Sequence, residues 1–504
     1  MIIDNSISSY KKFIYNEKIK LSTDQKFIDF INAGQQFLLD QIRDGRPIYG
    51  ITTGYGEAGN NYAAFEEAEE LQKNLYRFCG VGVGKYLSEN VVKIMLTVRL
   101  ISLSKGKSGV SYNLLKRFEI LLDNEIYPLI PSQGSVGASG DLAPLSYIAA
   151  VIAGEREVLY KGEERKTADV YEELGIEPYV FKAKEALGVI NGTAAMSAIA
   201  IDAIQRFENL LESMESFVAS IFELLLCDTT PLEPFVHESK PFDGQKKTAA
   251  NIFVKCKDSK LTHQAFSRYE NFHLEKEQNI QDRYSIRCAP QVLGVVRDSL
   301  EVAKKWIQTE INGVNDNPLI DHIGKKIYTS GNFYGGYIAQ AMDSMRICAG
   351  NIADLLDKEF ALLIDHKFNK GLGESLKINQ KSTHHGLKLI QVTLSSLAAD
   401  VMMNTSAASL YSRPTESLNQ DKVSMGTTAA LNFAKQLPDL ANMLSIAFIG
   451  MAQAVDIRGV EKCSTHLQKN YNIIREVVDI LVDDRRTDLD IRAVNELLLS
   501  GKFA

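Results

Sequence analysis

The chain has 504 residues, and 45% apolar with 24% charged residues is ordinary for a soluble globular protein of two or three domains or one elongated architecture. A formal net charge of −7 gives no electrostatic support to a nucleic-acid or anionic-membrane partner. Six cysteines, at 79, 227, 256, 288, 348 and 463, form no CxxC pair, which argues against a disulfide framework or a zinc site and for reduced thiols.

In chain order, the N-terminal stretch "MIIDNSISSYKKFIYNEKIKL" has no continuous apolar run and no small-residue cleavage site, so a cytoplasmic protein is expected. "GYGEAG", Gly54 to Gly59, satisfies GxGxxG by position. A dinucleotide turn also needs a buried strand after its helix, and the helix expected over "AAFEEAEELQKNLYRF" ends in "CGVGVG" instead. "GKS" at 106–108 is no phosphate loop, because Ile101 stands where glycine is required. No nucleotide cofactor is implied. "VLYKGEERKTADVYEELG" reads as a short hairpin followed by a small helix.

Beyond residue 190 the texture changes to long helical patterns. In "MSAIAIDAIQRFENLLESMESFVASIFELLLC", Ile204, Phe207, Leu211, Met214, Val218, Ile221 and Leu225 recur at helical spacing without Gly or Pro. Comparable patterns run through "AQAMDSMRICAGNIADLLDKEFALLI", "HGLKLIQVTLSSLAADVMMNTSAASLY" and "GTTAALNFAKQLPDLANMLSIAFIGMAQAV". The most apolar part of the last, "LANMLSIAFIGMAQAV", falls short of the ~20 residues of a bilayer span and reads as a buried helix. Apolar residues on more than one face suit helices at the centre of a bundle or at a subunit interface. The expected organisation is a loop-rich, site-bearing region over 1–190 and a long-helix bundle with C-terminal helices over 191–504. The eight histidines form no HExxH, and the adjacent His384 and His385 cannot face one metal from a helix, so no metal is implied.

"GSVGASGDLAPLSYIA", Gly134 to Ala149, places three glycines in seven residues ahead of an apolar run. It carries no Lys or Arg to meet a phosphate. One reading is a glycine-rich turn with Ser139 or Asp141 capping the next helix. The other is backbone cyclisation. The Gly140 nitrogen attacks the Ala138 carbonyl carbon, water leaves, and dehydration of Ser139 yields a conjugated methylidene imidazolone.

"GSVGASGDLAPL" resembles the signature of the aromatic amino-acid ammonia-lyases and aminomutases, in which Ala-Ser-Gly becomes 4-methylidene-imidazole-5-one (MIO). The resemblance runs from about residue 45 to 430. It implies a mainly α fold of the fumarase/aspartase-like superfamily, with a long central antiparallel bundle and the MIO site in the loop-rich region. It implies an MIO formed autocatalytically from Ala138, Ser139 and Gly140. "YGITTGYG" is similar to the loop whose first tyrosine removes the β-proton, placing that role on Tyr49, whose acidity the surroundings are expected to raise. "VINGTAAM" puts Asn191 beside the amino group and the MIO oxygen. "QDRYSIRCAPQ" supplies Gln281, Tyr284 and Arg287, with Tyr284 in the catalytic set and Arg287 pairing with the substrate carboxylate. "NDNPL" and "SGNF" supply Asn317, near that carboxylate, and Phe333, a pocket wall. Leu142 joins the substrate-binding candidates.

Selectivity in this family depends on a pair that here is Phe78-Cys79. Phe78 offers no hydrogen bond to an imidazole or a phenol, so phenyl fits best. Cys79 stands where leucine is usual and reads as a packing residue. Histidine-specific members carry Glu in "NQEDHVSMG", where "LNQDKVSMG" has Gln420. The resemblance thus implies elimination of ammonia from L-phenylalanine to give trans-cinnamate. The alternatives are a 2,3-aminomutase and a histidine or tyrosine ammonia-lyase. From other classes, a nicotinamide-dependent oxidoreductase rests on "GYGEAG" alone, and a non-catalytic helical scaffold requires an uncyclised triplet. The expected partners are a small amino acid and three further copies of the chain in a homotetramer whose sites draw on more than one subunit.

Overall fold

The structure, a computed structural model, describes residues 1–4, 18–62, 67–263 and 281–503. It is mainly α-helical. Four helices exceed twenty residues among those described: Ala194–Leu224, Ala289–Ile311, Gly336–Ile364 and Gly426–Arg458. Three of them follow the patterns read from the sequence. The fourth expected long helix is shorter: it runs Lys388–Met403 and stops at Asn404, and Ala408–Tyr411 forms a separate 3-10 turn. The polar run Asn404-Thr405-Ser406 breaks the apolar pattern there, and Arg346 Nε takes the Asn404 carbonyl at 2.8 Å while Nη1 takes that of Ser406 at 2.5 Å. A side chain that satisfies these carbonyls removes the need for further helical turns.

Contacts divide the chain into two units. One comprises 1–203, 303–343 and 407–434; the other comprises 204–302, 344–406 and 435–504. Later segments of sequence therefore join the N-terminal region in the first unit.

In the first unit, Ser88 and Ser111 cap Glu89–Ser104 and Tyr112–Asp123, each hydroxyl accepting a backbone N–H three residues on. The expected hairpin forms as Glu157–Tyr160 paired antiparallel with Glu163–Lys166, and the small helix Thr167–Leu174 follows. Leu38, Ile42, Ile48, Ile51, Ala68, Ala183 and Ile320 make one buried cluster. Ile48 and Ile51 bracket Tyr49 in sequence, so the loop that bears it is fixed from below.

In the second unit, the rings of Phe217 and Phe448 meet edge to face at 6.3 Å and Phe448 stacks on Phe503 at 4.5 Å. Each such ring buried from water contributes about 1.5–3 kcal/mol. Gly426–Arg458 is the one described helix long and apolar enough to cross a membrane, and 83% of its apolar window is buried within the protein. That matches a core helix.

Candidate active site

The glycine-rich segment meets the Asn191-Gly192 turn in the first unit. Gly140 has φ +72°, a β-carbon there would overlap the Gly192 carbonyl, and the Asp141 N–H donates to that carbonyl at 2.8 Å. Gly192 is closed from behind: a β-carbon on it would overlap Arg99 and lie 2.7 Å from the Asn315 oxygen. Two backbones pass here at a distance only glycine permits on both sides.

Asp141 does not cap the helix that follows it, contrary to one of the readings above; Leu142–Ile152 has no side-chain cap bond. Its carboxylate reaches instead to the first turn of Ala194–Leu224, where Oδ2 accepts the Met196 N–H at 2.8 Å. Oδ1 accepts from Ser135 Oγ at 3.2 Å and from the Thr427 hydroxyl. Burial pushes the Asp141 carboxyl up to about 6 against these hydrogen bonds.

Asn191 Nδ2 donates to the Ser139 carbonyl oxygen at 3.1 Å. This is the oxygen that an imidazolone made from the triplet would retain. Asn191 Oδ1 is buried without a hydrogen-bond partner among the described residues, an acceptor left over at the same spot. The residues present therefore fit the MIO group: one amide donor on the ring oxygen and one unused acceptor beside it.

Beneath Asn191 lies a buried charge network that sequence reading did not find. Arg99 donates to the carbonyls of Asn191 and Asn315, both at 2.9 Å, and of Gly188 at 3.0 Å. Burial pulls its guanidinium down to about 10, with Asp316 opposing. Lys184 Nζ contacts both Asp316 carboxylate oxygens at 2.8 Å, and neither side chain is exposed to solvent. Asp316 Oδ1 accepts the Asn317 N–H at 2.7 Å, and Asn317 Oδ1 accepts the Ser330 N–H at 2.7 Å. Asn191 and Asn317 are thus anchored to one ionic network.

Tyr49 is half-buried, and its hydroxyl accepts the Gly56 N–H at 2.7 Å. The expectation that its surroundings make it more acidic is corrected within this chain. Burial lifts the phenol above its ordinary value, the Gly56 N–H pulls it down, and the Glu416 carboxylate pushes it up. Glu416 was missed in the sequence; its carboxylate lies against the Gly56 α-carbon, and Ser417 Oγ donates to Glu57 at 2.7 Å. "GYGEAG" belongs to this contact: Gly56–Asn60 is a 3-10 turn rather than the strand-to-helix turn of a dinucleotide fold.

Gln420 is brought to the triplet, its Nε2 donating to Ser139 Oγ at 3.4 Å and its Oε1 accepting from Thr415 Oγ1 at 2.6 Å. Phe78 ends the helix Ala68–Phe78 and is 58% exposed, whereas Cys79 is buried and its thiol is pushed up to about 12 by burial. A thiol so hard to ionise packs; it does not act as a nucleophile. Leu142 begins the helix after the triplet, and Phe333 is partly buried. Gln281, Tyr284 and Arg287 fall in the second unit and group with one another. Arg287 donates to Gln281 Oε1, and its guanidinium lies 4.5 Å from the Tyr284 ring centroid.

Residues 6–476 match the family described as aromatic amino acid lyase. The chain is 34% identical to the histidine ammonia-lyase of Shouchella clausii over 483 residues, 96% of this chain and 94% of that one. Among solved structures it is similar to tyrosine aminomutase from Streptomyces globisporus, with TM-score 0.95, 32% identity and coverage of 100% and 97%. Pantoea agglomerans phenylalanine aminomutase has TM-score 0.95 at 30% identity, covering 99% of each chain. The fold and site thus define a carbon–nitrogen lyase, with the long-helix architecture of the fumarase/aspartase superfamily. The chain belongs to the aromatic amino acid lyase family, whose reaction is ammonia elimination from, or amino transfer within, an aromatic amino acid.

Proposed function

We propose that this protein eliminates ammonia from a carbocyclic aromatic L-amino acid, phenylalanine first, through an MIO group made from Ala138, Ser139 and Gly140. The observation that carries the reading is Asn191, with its amide donor on the Ser139 oxygen and its acceptor unused. The MIO group supplies an electrophile that makes the substrate's β-proton removable by a side-chain base. Tyr49 is that base, and its ionised fraction sets the rate, so activity rises with pH through the neutral range toward the raised phenol pKa. Asn191 Oδ1 accepts a substrate ammonium proton. The carboxylate role of Asn317 rests on the resemblance, as does that of Arg287, and Phe78, Cys79, Leu142 and Phe333 are assigned to the ring's surroundings on the same ground. Tyr49→Phe is expected to lower kcat by about 10²–10⁴. It removes one hydrogen bond, so the melting temperature should stay within a few degrees; a near-normal kcat would assign the base elsewhere.

A 2,3-aminomutase, which returns the ammonia to the β-carbon, is the second reading, supported by the likeness to two aminomutases. The histidine ammonia-lyase relatives favour an imidazole substrate. Gln420 removes the acidic partner from its usual place, but Glu416 puts a carboxylate nearby, against Gly56. Incubation with L-phenylalanine, L-tyrosine and L-histidine, followed by chromatography of acrylates and β-amino acids, decides among these. Cinnamate with β-phenylalanine supports the carbocyclic reading and an aminomutase; cinnamate alone supports the lyase. Urocanate as the main product overturns the ring assignment.

A homotetramer is part of the proposal. Leu389, Val392 and Met403, on the helix Lys388–Met403, are 64%, 59% and 73% exposed in the single chain. So much exposed apolar surface on one helix suits an interface. Light scattering after size exclusion should give four chains.

A further inference from the structure

Gln420 was singled out for substrate selectivity, yet the structure places it on the hydroxyl that must leave when the triplet matures. Its Nε2 donates to Ser139 Oγ at 3.4 Å. Its own orientation is fixed, because Thr415 Oγ1 donates to Oε1 at 2.6 Å, which leaves the amide nitrogen aimed at Ser139. Thr415 and Gln420 are also joined through their backbones: Thr415 N–H to Gln420 O at 3.1 Å and Gln420 N–H to Thr415 O at 3.2 Å.

The turn between them is strained. Glu416, Ser417 and Leu418 have φ of +47°, +49° and +69°, three successive non-glycine residues in the left-handed region. Each costs on the order of 1 kcal/mol or more and persists only where the surroundings demand it. A relaxed turn with other residues would serve if residues 415–420 had only to connect two elements. The observed geometry instead brings Thr415 and Gln420 side by side, with the amide beside Ser139.

We propose that Gln420, oriented by Thr415, is a catalytic residue of the chain's own maturation, assisting departure of the Ser139 hydroxyl. This rests on the reading that Ala138-Ser139-Gly140 cyclises. Once the Gly140 nitrogen has bonded to the Ala138 carbonyl carbon and one water has gone, Ser139 must still lose a second. The Cα–H electron pair becomes the Cα=Cβ bond, the Cβ–Oγ bond breaks with its pair on oxygen, and the released proton joins that oxygen as water. An N–H donor on Oγ stabilises the charge that develops there as the bond breaks. It also holds the Cβ–Oγ bond in one rotamer while the proton leaves. Nothing is oxidised or reduced.

The test reads mass, not turnover. Wild-type protein, Gln420→Met and Thr415→Val are expressed in a pulse and followed by intact and peptide mass over time. The wild-type triplet should end two waters light. Gln420→Met keeps the length of the side chain but has no donor. It should accumulate a peptide one water light and complete dehydration about tenfold more slowly, the effect of losing one hydrogen bond in the barrier. Thr415→Val leaves the amide in place but unoriented and should give a smaller delay with the same one-water species. A misfolded Gln420→Met would show no water loss and low solubility, in which case Thr415→Val carries the test. Dehydration at the wild-type rate in a folded variant overturns the role of Gln420. An unmodified wild-type mass overturns the cyclisation reading itself, so the two failures are distinguishable.

Discussion

Ser139→Ala is expected to abolish turnover while leaving the fold intact. Among the described residues the Ser139 hydroxyl has one side-chain hydrogen bond, the 3.4 Å contact from Gln420, so its removal should cost about 1 kcal/mol or less. Alanine also preserves the backbone carbonyl that Asn191 holds. Activity is a different matter. Without Oγ there is no second water to lose and no methylidene carbon. None of the other side chains gathered here is an electrophile: Cys79 is a buried thiol, and the remaining candidates are amides, hydroxyls, a phenol and carboxylates. The expected loss is at least about 10³ in kcat, in line with losing a group on which the other catalytic residues depend. Intact mass should show that the wild-type loss of two waters is gone, and the circular dichroism melt should be unchanged within a few degrees. Activity within tenfold of wild type in a folded Ser139→Ala protein would remove the triplet from the mechanism.

Much of this was legible in the sequence because it depends on local pattern. The helices Ala194–Leu224, Gly336–Ile364 and Gly426–Arg458 announce themselves by apolar spacing, and the Ala138-Ser139-Gly140 triplet by glycines no ordinary turn needs. What was missed depends on partners distant in the chain. Asp141 looks like the cap of the next helix, but its backbone donor is Met196, and capping rules see only neighbours. Glu416 gives no signal because its approach to Gly56 follows from three successive left-handed residues with no glycine among them. The helix that ends at Met403 stops at the polar run Asn404-Thr405-Ser406, and Arg346, distant in the chain, takes carbonyls of that run. The direction of the Tyr49 shift was misjudged because it is set by depth and by Glu416, neither of which is in the motif.

Lys184→Met should destabilise the protein by about 3–5 kcal/mol, since it leaves the Asp316 carboxylate buried without its principal partner. For a unit of this size that is roughly 10 °C in melting temperature. Arg99 does not replace Lys184, because its guanidinium is committed to the carbonyls of Gly188, Asn191 and Asn315. The damage should reach the site through Asp316, which holds the Asn317 N–H, and KM should rise more than kcat falls if Asn317 orients the substrate carboxylate. A second substitution separates the two effects. Lys184→Met with Asp316→Leu replaces the ion pair by apolar groups and should recover part of the lost stability, as buried pairs commonly allow. It cannot restore the hydrogen bond to Asn317, so the raised KM should persist in the double variant. Recovery of stability and KM together would show that the pair acts on the site only through global stability. A Lys184→Met protein that melts like wild type would mean that the buried charges are balanced by groups other than the pair itself.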